Sequence, residues 1–177
     1  MRAAVFFGST YGNTEEAARS IVEKLQSFLA KNVPLYDICR TDLRELEGYD
    51  VLLVGCSTWN FGELQDDWDR KCDFLDLVEL QGKKVALFGN GDQHTYPATF
   101  QDALGILAER FEARGAEIIG QWSASGYVHS ASRALRGGRF VGLALDYDNQ
   151  WDLTESRISA WVKQILGELG WSDSQNF

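Results

Sequence analysis

Short apolar runs alternate along this chain with stretches whose apolar residues recur every three or four positions. The runs are Ala3–Phe7, Val33–Tyr36, Val51–Gly55 and Val85–Phe88; a last one, Glu117–Gln121, resumes at Phe140–Leu145. Near-continuous apolar runs are typical of parallel strands buried on both faces. Pro34 cannot donate to a ladder, so the second run belongs at a sheet edge. The helical stripes are Ala17, Ala18, Ile21, Val22, Leu25, Phe28 and Leu29; then Leu64, Trp68, Cys72 and Leu75; then Phe100, Ala103, Leu104, Leu107, Ala108 and Phe111; and finally Ile158, Trp161, Val162, Ile165, Leu166 and Leu169. Asn13 is placed to cap the first helix, with Glu15 and Glu16 in its first turn. The alternation predicts an α/β fold: a doubly wound five-stranded parallel sheet with helices on both faces. Residues 122–139 break the alternation and read as a loop inserted into the last strand, one that adds nothing to the core. No linker or repeat divides residues 1–177, which read as a single domain.

Ligands of such sheets bind outside the carboxyl ends of the strands. Three loops leave those ends: 8–14, 56–63 and 89–99. The first reads Gly8-Ser9-Thr10-Tyr11-Gly12-Asn13-Thr14 and opens into a helix. Backbone N–H groups and the positive end of the helix dipole converge there on an anion. The loop holds no Lys or Arg, so it does not match a triphosphate-binding loop. Neutral donors suit a phosphate monoester held without cleavage. Read alone, the segment is also compatible with a plain strand–helix turn. The other two loops each carry one large aromatic, Trp59 and Tyr96, among small polar residues. Each alone is compatible with a plug over the sheet end. Together they are placed to clamp a flat ring, with stacking worth about 0.5–1.5 kcal/mol per pair.

With these loops in view the chain resembles the flavodoxins, specifically the long-chain type. GSTYGNT resembles that family's phosphate loop, STWNFGELQDDW its second flavin loop and FGNGDQHTYP its third. GYVHSASRALRGGRFVGLALDYDNQ resembles the insertion and closing strand of long-chain members. The resemblance implies a tightly bound, non-covalent FMN and a low-potential carrier of single electrons, not an enzyme. It implies that Ser9, Thr10, Tyr11, Gly12, Asn13 and Thr14 hold the phosphate. It further implies that Trp59 covers the inner face of the ring and Tyr96 the outer, in a second loop of Ser57, Thr58, Trp59, Asn60, Phe61 and Gly62. In the third loop Asn90 contributes its backbone, Gly91 and Asp92 meet the pyrimidine edge, and Gln93 lies beside them; Asp148 lies near the ribityl chain. Tyr11 stands where a Thr is usual, and its phenol either points to solvent or lies over the phosphate entrance. Asn90 also replaces a commoner Thr. In the family the Asn60–Phe61 peptide flips during reduction, and Asn60, tolerant of positive φ, is expected to permit it. The acids Glu63, Asp66, Asp67, Asp92, Asp146 and Asp148 are expected around the site, opposing added negative charge and lowering the second potential.

The partners implied are an NADP-linked flavin reductase and low-potential donors or acceptors such as a photosystem, nitrogenase or a pyruvate oxidoreductase. A formal net charge of -9, from 17 Lys+Arg against 26 Asp+Glu, argues against nucleic acid and against an anionic membrane surface. It favours protein partners with a basic docking face. Cys39, Cys56 and Cys72 show neither disulfide nor zinc spacing, which fits free thiols in a reducing cytoplasm; a monomer is expected. His94 and His129 have no nucleophile or metal-ligand partner in the pattern. Three rival readings remain open at this point: an FMN-dependent quinone or nitro reductase, a receiver-type signalling domain, and a flavin-free interaction domain. The receiver reading needs paired acids where the first strand ends, and the chain has Gly8-Ser9-Thr10 there.

Overall fold

The computed structural model describes residues 1–171, so the last six residues of the expected domain lie outside the described residues. In chain order β1 (Ala3–Phe7) leads into α1 (Asn13–Leu29), followed by β2 (Leu35–Asp37), β3 (Val51–Gly55), the short pair β4 (Thr58–Trp59) and β5 (Glu63–Leu64), and α2 (Asp66–Lys71). Then come β6 (Lys84–Asn90), α3 (Asp102–Ala113), β7 (Glu117–Ile119), β8 (Trp122–Ser123), β9 (Leu135–Arg136), β10 (Arg139–Phe140), β11 (Gly142–Leu145) and α4 (Thr154–Glu168). The main sheet runs β2-β1-β3-β6, with the fifth row shared end to end by β7 and β11, all parallel. β7 pairs with β6 from Lys84 to Ala86, and β11 takes over from Leu87 to Asn90. Gly142 makes that re-entry possible, because a Cβ there would collide with the Leu87 carbonyl.

Two apolar clusters sandwich the sheet. α1 and α4 cover one face with Ile21, Leu25, Trp161 and Ile165. α2, the turn after it and α3 cover the other with Trp68, Leu75, Leu104 and Phe111. The expected second helix is shorter than its stripe suggests. α2 has six residues and then tightens into a 3-10 turn over Cys72–Leu77, which still presents Cys72 and Leu75 to the core. The edge strand β2 starts at Leu35; Pro34 lies outside it and uses its carbonyl to accept from Val5 N at 2.9 Å.

Residues 122–139 are not the bare loop expected. β8, β10 and β9 form a small antiparallel sheet. Its Tyr127 packs inward against Phe100, just before α3, and Phe140 of β10, the three rings forming a triangle with centroids 5.5–5.7 Å apart. Ala134 and Phe140 are fully buried. Tyr127 Oη donates to the Ala144 carbonyl at 2.6 Å and accepts from Trp122 Nε1 at 2.9 Å, which fastens the segment to β11. The segment therefore supplies core, contrary to its reading as an addition outside it. Its polar composition hid three or four inward-facing side chains.

Candidate functional site

β1, β3 and β6 end side by side, and their loops enclose a cavity of about 340 Å³, within the size range of small-molecule sites. Every residue lining it was expected from the sequence. Four expected residues do not line it: Gly12, Phe61, Gly62 and Gln93.

The first loop contributes Ser9, Thr10, Tyr11, Asn13 and Thr14. The helix starts one residue differently from expectation. Gly12, at φ 97°, occupies the capping position and Asn13 is the first helical residue; no side chain caps the helix. The left-handed turn at Gly12 is cheap only for glycine. It leaves the first-turn N–H groups of α1 without a side-chain acceptor, as a bound anion requires. Ser9 Oγ accepts from Gly12 N at 3.1 Å, so the Ser9 hydroxyl proton is free to be donated elsewhere. Tyr11 is 83% exposed, and its ring lies 5.5 Å from that of Trp59, tilted 36°. Its phenol thus reaches solvent while the ring leans on the second loop.

The second loop contributes Ser57, Thr58, Trp59 and Asn60. β4 and β5 make it a hairpin, closed by Gly62 N donating to the Trp59 carbonyl at 3.1 Å. Ser57 Oγ accepts from Trp59 Nε1 at 2.9 Å and so fixes the indole. Thr58 Oγ1 accepts from Ala103 N at 3.2 Å, tying the hairpin to the start of α3. Asn60 has φ 46° and donates from Nδ2 to Glu63 Oε2 at 2.6 Å. Phe61 does not share the positive φ. Rotation of the Asn60–Phe61 peptide changes Asn60 ψ and Phe61 φ, so Phe61 as well as Asn60 bears on the flip that the family resemblance implies. Phe61 itself is 83% exposed and meets Tyr96 edge-on at 6.0 Å, bracing the third loop from outside the cavity.

The third loop contributes Asn90, Gly91, Asp92 and Tyr96, with Asp148 arriving from beyond β11. Asn90 Oδ1 accepts from Tyr147 N at 2.9 Å, which leaves its backbone for the cavity. Asp92 Oδ1 accepts from His94 N, Thr95 N and Asn149 Nδ2 at 2.9–3.1 Å. Burial pushes the Asp92 pKa up, but the hydrogen bonds from Thr95, Asn149 and His94 outweigh it and hold the carboxyl below its usual range. Gln93 turns away from the cavity. It is 1% exposed, donates from Nε2 to Asp146 Oδ2 at 2.7 Å and accepts from Val128 N at 2.6 Å. Of the six acids expected around the site, only Asp92 and Asp148 line it. Partial burial, then the negative charges of Asp92 and Asp146, raise the Asp148 pKa. The buried Asp146, together with Gln65 and Asn149, is structural to the site, and Gln65 and Asn149 went unnoticed in the sequence. Gln65 is buried and Asn149 exposed, and no motif marks a lone amide in either setting.

The cavity lining contains no Lys, Arg or His. It offers hydroxyls and an uncapped helix start at one end and aromatic walls at the other. That donor set fits a flavin mononucleotide: neutral donors for a phosphate monoester, and flat apolar surfaces for a ring.

The flavodoxin family model matches residues 5–161. The chain belongs to the flavodoxin family. It is 46% identical over 169 residues to a flavodoxin of Picosynechococcus sp., covering 96% of this chain and 98% of the relative. It is 45% identical over 173 residues to flavodoxin 1 of Salmonella typhimurium, covering 97% of each. Among solved structures, the Fusobacterium nucleatum flavodoxin bound to flavin mononucleotide superposes with a TM-score of 0.84 at 27% identity, covering 94% of this chain and 98% of that one. The chain is accordingly an FMN-carrying electron-transfer protein and not an enzyme. The reductase, receiver and flavin-free readings fall with that membership.

Proposed function

We propose that this electron carrier holds the FMN phosphate against Ser9, Thr10, Gly12, Asn13 and Thr14, and the isoalloxazine between Trp59 and Tyr96. The observation that carries the reading is one cavity in which three βα loops bring an uncharged anion cradle and two aromatic walls together. FMN supplies the one-electron chemistry when bound. The chain's own residues bind it, exclude water from its faces and set the local field. Gly91 and the 92–96 turn face the pyrimidine edge in this reading. Gln93 acts from behind by holding that turn to Asp146, and Phe61 acts by bracing Tyr96.

The partners that fit are an NADP-linked flavin reductase and low-potential proteins such as a photosystem, nitrogenase or a pyruvate oxidoreductase. A net charge of -9 supports partners with basic docking faces. The setting we propose is cytoplasmic, with the protein acting as a single-domain monomer. Cys39, Cys56 and Cys72 are unpaired, as a reducing compartment allows. No helix of the described residues is long and apolar enough to cross a membrane.

Titration of purified apoprotein with FMN, followed by flavin fluorescence quenching, tests the site. One-to-one binding well below micromolar is expected, and Trp59→Ala weakens it. A folded apoprotein that fails to bind FMN at micromolar concentrations refutes the proposal. Anaerobic reduction by NADPH through an NADP-linked flavin reductase tests the partner assignment.

A further inference from the structure

Gln65 lies outside the cavity and yet reaches its anion end. It is 1% exposed, and each atom of its amide is engaged. Oε1 accepts from Asp67 N at 3.1 Å and Trp68 N at 3.4 Å, which caps α2. Both of those partners are obligate donors, so the other end of the amide must be the NH2 group. That Nε2 donates to Asp67 Oδ2 at 2.8 Å and to Thr10 Oγ1 at 3.2 Å. The first loop is shaped to admit the amide: a Cβ on Gly8 would collide with Gln65 Oε1.

The direction of the bond to Thr10 has a consequence. A hydroxyl that accepts from an amide keeps its single proton for another partner. Thr10 lines the cavity, so that proton is available to an acceptor there. A Gln65 amide turned the other way, or a carboxylate in its place, would draw the Thr10 proton inward and present lone pairs to the ligand. We propose that Gln65 is a positioning residue that fixes Thr10 as a hydrogen-bond donor to the FMN phosphate, and that couples the phosphate loop to α2 and the second loop. The inference rests on the placement of the phosphate proposed above. Ser9 is set in the same sense by Gly12 N, so two hydroxyls of the cradle are held in donor orientation by separate parts of the chain.

The test exchanges the two groups without changing net charge. In the double variant Gln65→Glu with Asp67→Asn, one carboxylate oxygen still caps α2 and the other accepts from the new amide at 67. Thr10 then faces an acceptor and must donate inward. FMN affinity of the apoprotein is expected to fall on the order of 10- to 100-fold, the range for losing a hydrogen bond to a charged group. Affinity for riboflavin, which has the same ring and no phosphate, should change by less than about threefold. Thr10→Val should cost FMN binding a comparable factor in the native background and almost nothing in the exchanged background. Parallel loss of FMN and riboflavin, or losses from the two changes that multiply, would overturn the role of Gln65. The thermal midpoint of each apoprotein monitors folding. If the exchanged pair does not fold, Gln65→Met reads the same coupling through its non-additivity with Thr10→Val. Wild-type apoprotein that binds no FMN instead refutes the phosphate reading itself.

Discussion

Replacing Asp146 by Asn should loosen the third loop far more than its conservative size suggests. The carboxylate is fully buried and gathers donors from two segments. Oδ2 accepts from Gln93 N at 3.2 Å, Gln93 Nε2 at 2.7 Å and Asn149 Nδ2 at 3.0 Å; Oδ1 accepts from Asn149 N and Asn149 Nδ2, both at 3.0 Å. Asn149 Nδ2 also reaches Asp92 Oδ1 at 2.9 Å, so the network ends on a cavity residue. An Asn side chain has one oxygen, and its NH2 must then face donors. In the cheaper orientation the amide replaces Oδ1, which orphans Asn149 N and drives Asn149 Nδ2 away. Asn149 is exposed, so water replaces part of the lost bond and its N–H costs about 1 kcal/mol, while the bonds that remain lose their charge assistance. A total of about 1–3 kcal/mol follows, or roughly 2–12 °C in the thermal midpoint for a chain of this size. Urea unfolding of the apoprotein measures the first figure, and FMN titration measures the accompanying loss of affinity. A change below about 1 kcal/mol with FMN affinity intact would refute the network as the anchor of the third loop.

Tyr127→Ala should destabilise the apoprotein by about 3 kcal/mol in denaturant melts, the lower end of the range for truncating a buried aromatic ring; a cost under about 1 kcal/mol would return the 122–139 segment to the status of an appendage. Phe61→Gly removes the penalty of about 1–2 kcal/mol for placing a bulky residue at positive φ, so the upper one-electron potential of the FMN-loaded protein should rise by tens of millivolts in a redox titration, whereas Asn60→Gly, at a residue already at φ 46°, should do less. Asp148→Asn should raise the lower potential by up to about 70 mV, from a charge at ~10 Å with effective dielectric ~20 worth about 1.7 kcal/mol, and less as salt is added; Asp66→Asn, off the cavity, is the control. Burial raises the Asp102 pKa above 3.8, against the hydrogen bond and charge of Arg133. The folded state therefore binds that proton first, and stability falls as pH climbs from below 3.8 through the folded pKa. Asp102→Asn keeps an acceptor for Arg133 N, which lies at 2.7 Å, so it should stabilise the protein at pH 7 and give no gain near pH 3; a lower thermal midpoint at pH 7 would contradict this.

The three loops were legible because each combines a strand whose apolar run is unbroken with a turn whose residue types have few other uses. Gly8–Thr14 shows its purpose in what it lacks, since an anion site without cations restricts the ligand. Trp59 and Tyr96 show theirs by standing alone among small polar neighbours. What stayed hidden was the support behind those loops. Gln65, Gln93 and Asn149 are single amides whose importance comes from direction, and direction is set by partners 53–57 positions away in the chain. The insertion was misjudged for a related reason. Tyr127 buries its ring against Phe100 and Phe140, and a period of two or three and a half residues records nothing of such a contact. The cap of α1 was displaced by one residue because Gly12 can turn left-handed, and the sequence pattern of Asn13 and Glu16 describes equally well a helix that begins at either position.

The charge around the cavity is also more local than the composition suggests. Six acids were expected to oppose electron uptake, yet Glu63 is held by Asn60, Asp67 by Gln65, and Asp146 by Gln93 and Asn149. Asp92 folds one oxygen back onto its own turn. Each carboxylate so engaged has part of its field answered by oriented N–H dipoles, which reduces what reaches the cavity. Asp148 lines the cavity and is crowded by Asp92 and Asp146 in place of being neutralised. The electrostatic pressure against a negative ligand is thus concentrated at one rim carboxylate, while the opposite end of the cavity is built wholly of donors. A cofactor with an anionic tail and a ring that gains charge on reduction has its two ends treated oppositely by this arrangement. In the placement proposed for FMN, the phosphate faces the uncharged hydroxyls of Ser9, Thr10 and Thr14, and the acids that line the cavity are Asp92 and Asp148.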